Sequence, residues 1–215
     1  MNHERIEKSV GWLAVLTALA ISFGGFVEIV PLMVQQSKTQ PAPGMKPRSP
    51  LEVAGRDVYL REGCYNCHSQ MVRSLAEEVL RYGPAGQASE SVWDHPFQWG
   101  SKRTGPDLSR VGGRYSDDWH RIHLLNPRDV VPESNMPGYP WLAEESLKGE
   151  DVQAEMRALS RVGVPYSKAD IAAAPEAVLG KTKLDALIAF LQSLRAPPAA
   201  PQAAAATTSA TGEGS

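Results

Sequence analysis

Residues 62–71 read Glu-Gly-Cys-Tyr-Asn-Cys-His-Ser-Gln-Met, and the centre of this run, Cys64-Tyr65-Asn66-Cys67-His68, decides the reading of the chain. It is a C-x-x-C-H motif, the pattern of covalent c-type haem attachment. Thiols three residues apart reach the two vinyl groups on neighbouring haem edges. The residue after the second thiol then lies below the ring, where an imidazole meets the iron. Cys64 and Cys67 are the only cysteines in the chain. A disulfide framework would need more of them at wider spacings. A zinc site would need a second Cys or His pair, and no thioredoxin-like βαβ pattern surrounds the motif to favour a redox dithiol.

Outward from the motif the chain divides by composition. Residues 1–9 are polar. Val10 to Val34 is almost unbroken apolar sequence, about 37 Å long as a helix and enough to cross a hydrocarbon core of about 30 Å. A cleaved signal peptide is the alternative, but its apolar region should run only about 7–15 residues and end in a small-residue cleavage site. An uncleaved transmembrane helix is therefore expected. Gly11, Ala14, Ala18, Ser22 and Gly25 fall near one face of it, a surface for another helix, and Glu28 on the flank is read as a contact to a partner. Residues 35–50 form a proline-rich linker, 51–196 the globular part, and 197–215 an alanine-rich tail expected to be disordered.

The charges beside the helix, Arg5 and Lys8 before it and Lys38, Lys46 and Arg48 after it, do not fix its direction. The haem motif does, because c-type attachment occurs on the outer face of the bacterial inner membrane. Residues 1–9 are then cytoplasmic and the haem domain periplasmic. The chain has 215 residues, 42% of them hydrophobic, and a net charge of -2, so nothing points to nucleic acid.

Apolar spacing and capping signals predict helices at about 52–63, 117–125 and 181–194, with another at 150–160. Strand signals are sparse. The expected fold is mainly α: one N-terminal transmembrane helix plus a periplasmic class I-like cytochrome c domain with long loop insertions.

The iron's sixth ligand must come from Met71, Met136, Met156, His95, His120 or His123. Met71 is too close to His68 to reach the opposite face of the ring. Met156 reads as core. His120 and His123, three apart on a short helix, read as a solvated or interfacial pair. Met136 lies in Pro132-Glu133-Ser134-Asn135-Met136-Pro137-Gly138-Tyr139-Pro140, a loop stiffened by prolines and placed between the motif and the last helix. It is the preferred ligand, with His95 the alternative. A His68/Met136 pair gives one covalent, low-spin haem c with no open coordination site, suited to electron transfer and not to oxygen activation. Thr104-Gly105-Pro106-Asp107-Leu108 resembles the Gly-Pro-x-Leu loop of small cytochromes c. On that likeness the Pro106 carbonyl accepts a hydrogen bond from His68 and orients it. Arg103, Arg110 and Arg114 are candidates for contact with haem propionates.

Longer runs narrow the reading. Glu62–Met71, Asp94–Leu108, Val111–Ser116, Asn126–Asp129, Pro132–Leu142 and Val27–Pro31 resemble the mono-haem subunit II of cbb3-type cytochrome c oxidases, with likeness over roughly residues 10–142 and again at 183–194. The resemblance implies a membrane-anchored subunit of a proton-pumping terminal oxidase. It implies electrons taken from a di-haem cytochrome c subunit and passed to a large haem–copper catalytic subunit. Oxygen chemistry would then lie on that subunit and not on this chain. Both cysteines are taken by the haem motif, so electron entry is through haem and not through a dinuclear copper site. A free-standing membrane-anchored carrier and a haem enzyme or gas sensor are the rival readings. The long insertions before Met136 weigh against the first, and Met136 ligation against the second.

Overall fold

In the computed structural model, residues 3–35, 40–100 and 102–197 are described. The expected linker thus lies partly, and the expected tail almost wholly, outside them. The chain resolves into two units. One holds residues 1–41 together with 87–92, the other residues 42–86 and 93–215.

In the first unit a short helix, α1 (His3–Glu7), leads into α2 (Val10–Val34). Ser9 caps α2 by accepting a hydrogen bond from the Trp12 amide, and Pro31 falls in its last turn. No residue of α2 is buried, and apart from Thr17, Ser22 and Glu28 its exposed surface is apolar, from Val10 through Phe23 and Phe26 to Val34. An apolar helix exposed on every side is the form a single membrane crossing takes, and by length and composition α2 is sufficient for one.

The second unit is helical, and among the described residues its only β feature is an isolated bridge between Ser146 and Thr182. α3 (Pro50–Arg61) begins with a capping box: Ser49 accepts from the Glu52 amide and Glu52 accepts from the Ser49 amide at 2.7 Å. Pro50 stands at its first position, where a missing N–H costs nothing. This helix starts earlier than the apolar pattern predicted, because the capping sequence lies in the proline-rich stretch assigned to the linker. α8 (Lys183–Ser193) is capped by Thr182 and Asp185 in the same way and packs across α3. Gly55 of α3 lies against the Ala186 backbone and Phe190, and the Tyr59 ring meets Phe190 at 5.3 Å.

Two apolar clusters flank this crossing. One joins α3 and α8 to α5 (Asp117–Leu125) and the Leu142 turn, through Val58, Tyr59, Leu124, Leu142, Leu187, Phe190 and Leu191. The other packs α6 (Gly149–Arg161) and α7 (Lys168–Ala177) against α3, with Val152, Met156, Ala174 and Val178 inside. Each fully buried side chain of this size contributes roughly 1.5–3 kcal/mol. Met156, considered above as an iron ligand, is 1% exposed among these side chains and serves as core.

Two helices of this second unit were absent from the sequence reading. α4 (Ala76–Tyr82) buries Glu78 and Tyr82 and turns Leu80 outward, so its buried face carries no apolar period. α7 buries Ala174 alone and contains Pro175. Its usable signal was the capping pair Ser167 and Asp170.

Candidate functional site

α3 ends at Arg61, and two residues on Gly63 has a φ of 71°, the left-handed conformation that glycine supplies just past a helix terminus. The chain then makes a tight 3₁₀ turn through Cys64–Asn66, closed by the His68 amide donating to the Cys64 carbonyl at 3.0 Å. The turn places Cys64, Cys67 and His68 side by side. Neither cysteine is in a disulfide. Burial, with the Glu62 carboxylate adding to it, pushes the Cys64 thiol up to about 12. A thiol held that firmly protonated is a poor redox nucleophile at neutral pH, which counts against a dithiol–disulfide role.

The His68 imidazole is fixed from two sides. Its Nδ1 lies 2.8 Å from the Pro106 carbonyl oxygen. A carbonyl only accepts, so Nδ1 carries the proton and Nε2 keeps its lone pair. Gly105 lies so close to the ring that a Cβ there would collide with Cε1 and sit 2.8 Å from Nε2. Burial lowers the imidazole's proton affinity, with the Pro106 contact opposing. The result is a neutral ring with one open nitrogen beside two free thiols.

The loop carrying Gly105 and Pro106 is tied to the cysteine turn by main-chain bonds. The Gly105 amide donates to the Cys67 carbonyl at 3.0 Å, and the Leu108 amide to the Ser69 carbonyl at 2.9 Å. Behind them lies a buried polar network that the sequence reading missed. Asp107 accepts from Ser69 Oγ at 2.6 Å and from the Met71 amide at 2.8 Å, and caps its own turn by accepting from the Ser109 amide at 2.9 Å. Arg103 donates to Ser69 Oγ at 2.7 Å and to the Met71 carbonyl at 2.8 Å, and pairs with Glu78 at 2.6 Å. Its hydrogen bond, joined by those of Arg73, holds the Glu78 carboxyl down at about 2. From the helix side, Tyr59 Oη donates to the His68 carbonyl at 3.3 Å. The available signal was Asp107 two residues before Ser109, an Asx-turn pattern.

Met136 and Cys64 both border the apolar cluster of α3, α5 and α8. The Met136 loop is pinned to the end of α5: the Tyr139 amide donates to the Leu124 carbonyl at 2.8 Å, and Gly138 packs onto the Leu125 carbonyl. Met71 is held behind the motif by Asp107 and Arg103. The His95 carbonyl is gripped by Arg56, which also binds the Pro96 carbonyl, while Arg48 makes a forked pair with Asp94. That clamp presents Phe97 and Trp99 as a stacked pair, 4.9 Å between ring centres.

The three arginines considered for propionates also hold acceptors of the chain itself. Arg103 is in the network above. Arg110 donates to the Pro84, Ala85 and Ser109 carbonyls, and Arg114 to the Arg81 carbonyl at 2.9 Å. Of the two α5 histidines, His120 departs from the solvated reading. His120 is 3% exposed, not solvated, and His120 Nε2 and His123 Nδ1 are buried without a hydrogen-bond partner.

These residues fit a haem. Two unpaired thiols and a neutral imidazole with a free Nε2 lie on one turn, and a thioether borders the same apolar wall as one of the thiols. Among the described residues no group of three His, Cys, Asp or Glu side chains could hold a metal ion by itself.

The model of the family described as cytochrome c oxidase, mono-heme subunit/FixO, matches residues 3–186. No curated protein matches the chain. A match over that span, on a helical chain with one apolar N-terminal helix, assigns the membership: the chain belongs to the FixO family and is a mono-haem subunit of a cbb3-type cytochrome c oxidase.

Proposed function

We propose that this chain relays electrons within the oxidase through one haem c, bound covalently by Cys64 and Cys67 and ligated by His68 and Met136. The observation that carries this reading is the 2.8 Å contact between His68 Nδ1 and the Pro106 carbonyl, which leaves Nε2 as the iron-binding nitrogen. When bound, the haem supplies a one-electron iron couple, raised in potential by His/Met ligation.

The remaining work falls to the chain. Gly105 and Pro106 fix the angle and tautomer of His68. The Asp107–Arg103–Glu78 network holds that loop against the cysteine turn. The Met136 loop, stiffened by Pro132, Pro137 and Pro140 and bonded to α5, would hold the Met136 thioether as the haem's second protein ligand, which would leave the iron no site for oxygen. α2 anchors the chain in the inner membrane, with residues 1–9 cytoplasmic and residues 51–196 as the periplasmic haem domain. Electrons come from a di-haem cytochrome c subunit and go to the large haem–copper subunit, where oxygen is reduced.

The test is purification of the oxidase in mild detergent with three readings. A pyridine haemochrome spectrum of the c type must be carried by this chain and lost in a Cys64→Ala/Cys67→Ala variant. The visible band of iron–sulfur ligation must vanish in Met136→Leu. The chain must migrate with a haem–copper subunit. Migration alone, or a spectrum indifferent to Met136, overturns the reading.

A further inference from the structure

α4 is amphipathic in the reverse sense. Glu78 and Tyr82 are its buried side chains. Glu78 pairs there with Arg73 and Arg103, and Arg103 lies over the Tyr82 ring at 5.4 Å. Outward, the helix and its cap turn Leu75, Ala76, Val79 and Leu80, a spacing that sets the four side chains in one stripe. Leu75 is 54% exposed and Leu80 88%. Single surface leucines are ordinary, but a helix that buries a carboxylate and shows its aliphatic side chains to solvent is not. Cations edge the stripe. The Arg81 guanidinium lies over the Tyr82 ring at 5.1 Å, and the exposed Arg114 donates to the Arg81 carbonyl at 2.9 Å. Glu77 is the one exposed acid of this helix.

Three features select what covers this stripe. The first is its size. Four side chains offer on the order of a few hundred Å², where a stable protein interface buries about 800 Å² on each partner. The second is its place in the chain. α4 continues through residues 83–86 alone, a reach of at most about 18 Å, into residues 87–92, which belong to the unit of the membrane helix α2. The third is charge. Aliphatic side chains with guanidinium groups at their edge match the layered chemistry of a membrane surface, where acyl carbons lie beneath phosphates.

We propose that the outward face of α4 rests in the interfacial layer of the membrane that α2 crosses, with Leu75, Val79 and Leu80 among the upper acyl carbons and the Arg81 guanidinium on a lipid phosphate. The proposal rests on α2 as the anchor. It gives the haem domain a second, peripheral hold on the lipid. Because Glu78 of the same helix pairs with Arg103, which bonds Ser69 and Met71, that hold is passed to the cysteine turn.

The test uses the full-length chain with its attached haem in phospholipid nanodiscs that contain anionic lipid. Cys64 and Cys67 are then thioethers, so a single new thiol is read by a charged, water-soluble maleimide. Leu80→Cys should react about tenfold more slowly than Leu179→Cys, a position 79% exposed beyond α7. Adding Arg81→Gln to Leu80→Cys should raise its rate about fivefold. Equal rates at the two thiols overturn the proposal, and a rate indifferent to Arg81→Gln overturns the phosphate contact. The wild-type chain supplies a measurement that needs no variant. A phospholipid with a photoactivatable acyl chain should label peptides of α2 and of α4, in the lone chain and in the intact oxidase alike. Label on α2 without label on α4 overturns the proposal. Label on α4 in the lone chain but not in the oxidase assigns the stripe to a partner subunit and also overturns it. No label on α2 removes the anchor itself, and the proposal with it.

Discussion

The Nδ1 of His68 and the carbonyl oxygen of Pro106 stand 2.8 Å apart, and Gly105 fills the space beside the ring with no side chain at all. The two features are linked: the peptide that offers the carbonyl must pass within touching distance of the imidazole. A methyl group at Gly105 would force ring and loop apart. Gly105→Ala should therefore lower stability by about 1–3 kcal/mol and, more tellingly, reduce covalent haem per chain. Haemochrome absorbance relative to total protein and a thermal melt check both. Normal haem content with an unchanged melt would show that the cradle does not need its glycine.

Glu78 gives the fold an acid-sensitive link. Arg103 and Arg73 hold its carboxyl down at about 2, against an ordinary value of 4.5. A group whose proton affinity falls on folding stabilises the native state when ionised. Its contribution is complete above pH 4.5 and is lost as pH drops from 4.5 towards 2. Because Arg103 also holds Ser69 and Met71, the loosening should reach the cysteine turn. Glu78→Gln should be less stable than wild type at pH 7 and should flatten the stability change across that acid window. Urea unfolding at pH 7 and at pH 3 measures it, and parallel pH profiles for the two proteins would refute it.

These two cases show what the sequence made legible. The cysteine turn, the Gly105-Pro106 loop and the helix at 117–125 could be read because each rests on a local rule: ligand spacing, turn chemistry, or Ser116 capping Trp119. The network of Glu78, Arg103, Ser69 and Asp107 could not. Its members are up to 38 residues apart, as Ser69 and Asp107 are, and polar side chains carry no period that announces burial. α4 escaped for the same reason, since it packs through Glu78 and Tyr82. His120 was misjudged because an imidazole pair three residues apart suits a wet face and a buried one equally. Only the neighbouring Tyr115 and Trp119 rings decide between them.

Glu155 should oppose Glu78 in its response to pH. It lies on α6 opposite Asp57, Arg56 and Arg61 of α3, and burial, with Asp57 adding to it, pushes its carboxyl up to about 7. Proton affinity here rises on folding, so the ionised form penalises the native state. The penalty appears as pH rises from 4.5 and is complete above 7. Glu155→Gln should stabilise the protein by roughly 1–3 kcal/mol at pH 8 and leave it almost unchanged at pH 4. Denaturation midpoints at the two pH values test this. A gain of equal size at both would point to packing and away from ionisation.

The crossing of α3 and α8 rests on Gly55. A Cβ there would run into the Ala186 carbonyl and come within 2.8 Å of the Phe190 Cβ. Neither obstacle is the free end of a flexible side chain, so the helices themselves would have to separate. That movement would disturb Tyr59 against Phe190, and through Tyr59 Oη the His68 carbonyl. Gly55→Ala should therefore cost more than a helical glycine-to-alanine change normally returns. The exchange gains about 1 kcal/mol in an unhindered helix. Here the sign should reverse, with a net loss of about 2–3 kcal/mol as expected for overpacking against backbone. Leu80→Ala, on the exposed face of α4, serves as the control and should stay within about 0.5 kcal/mol of wild type. If Gly55→Ala melts at or above the wild-type temperature, the close approach of the two helices is not what holds this domain together.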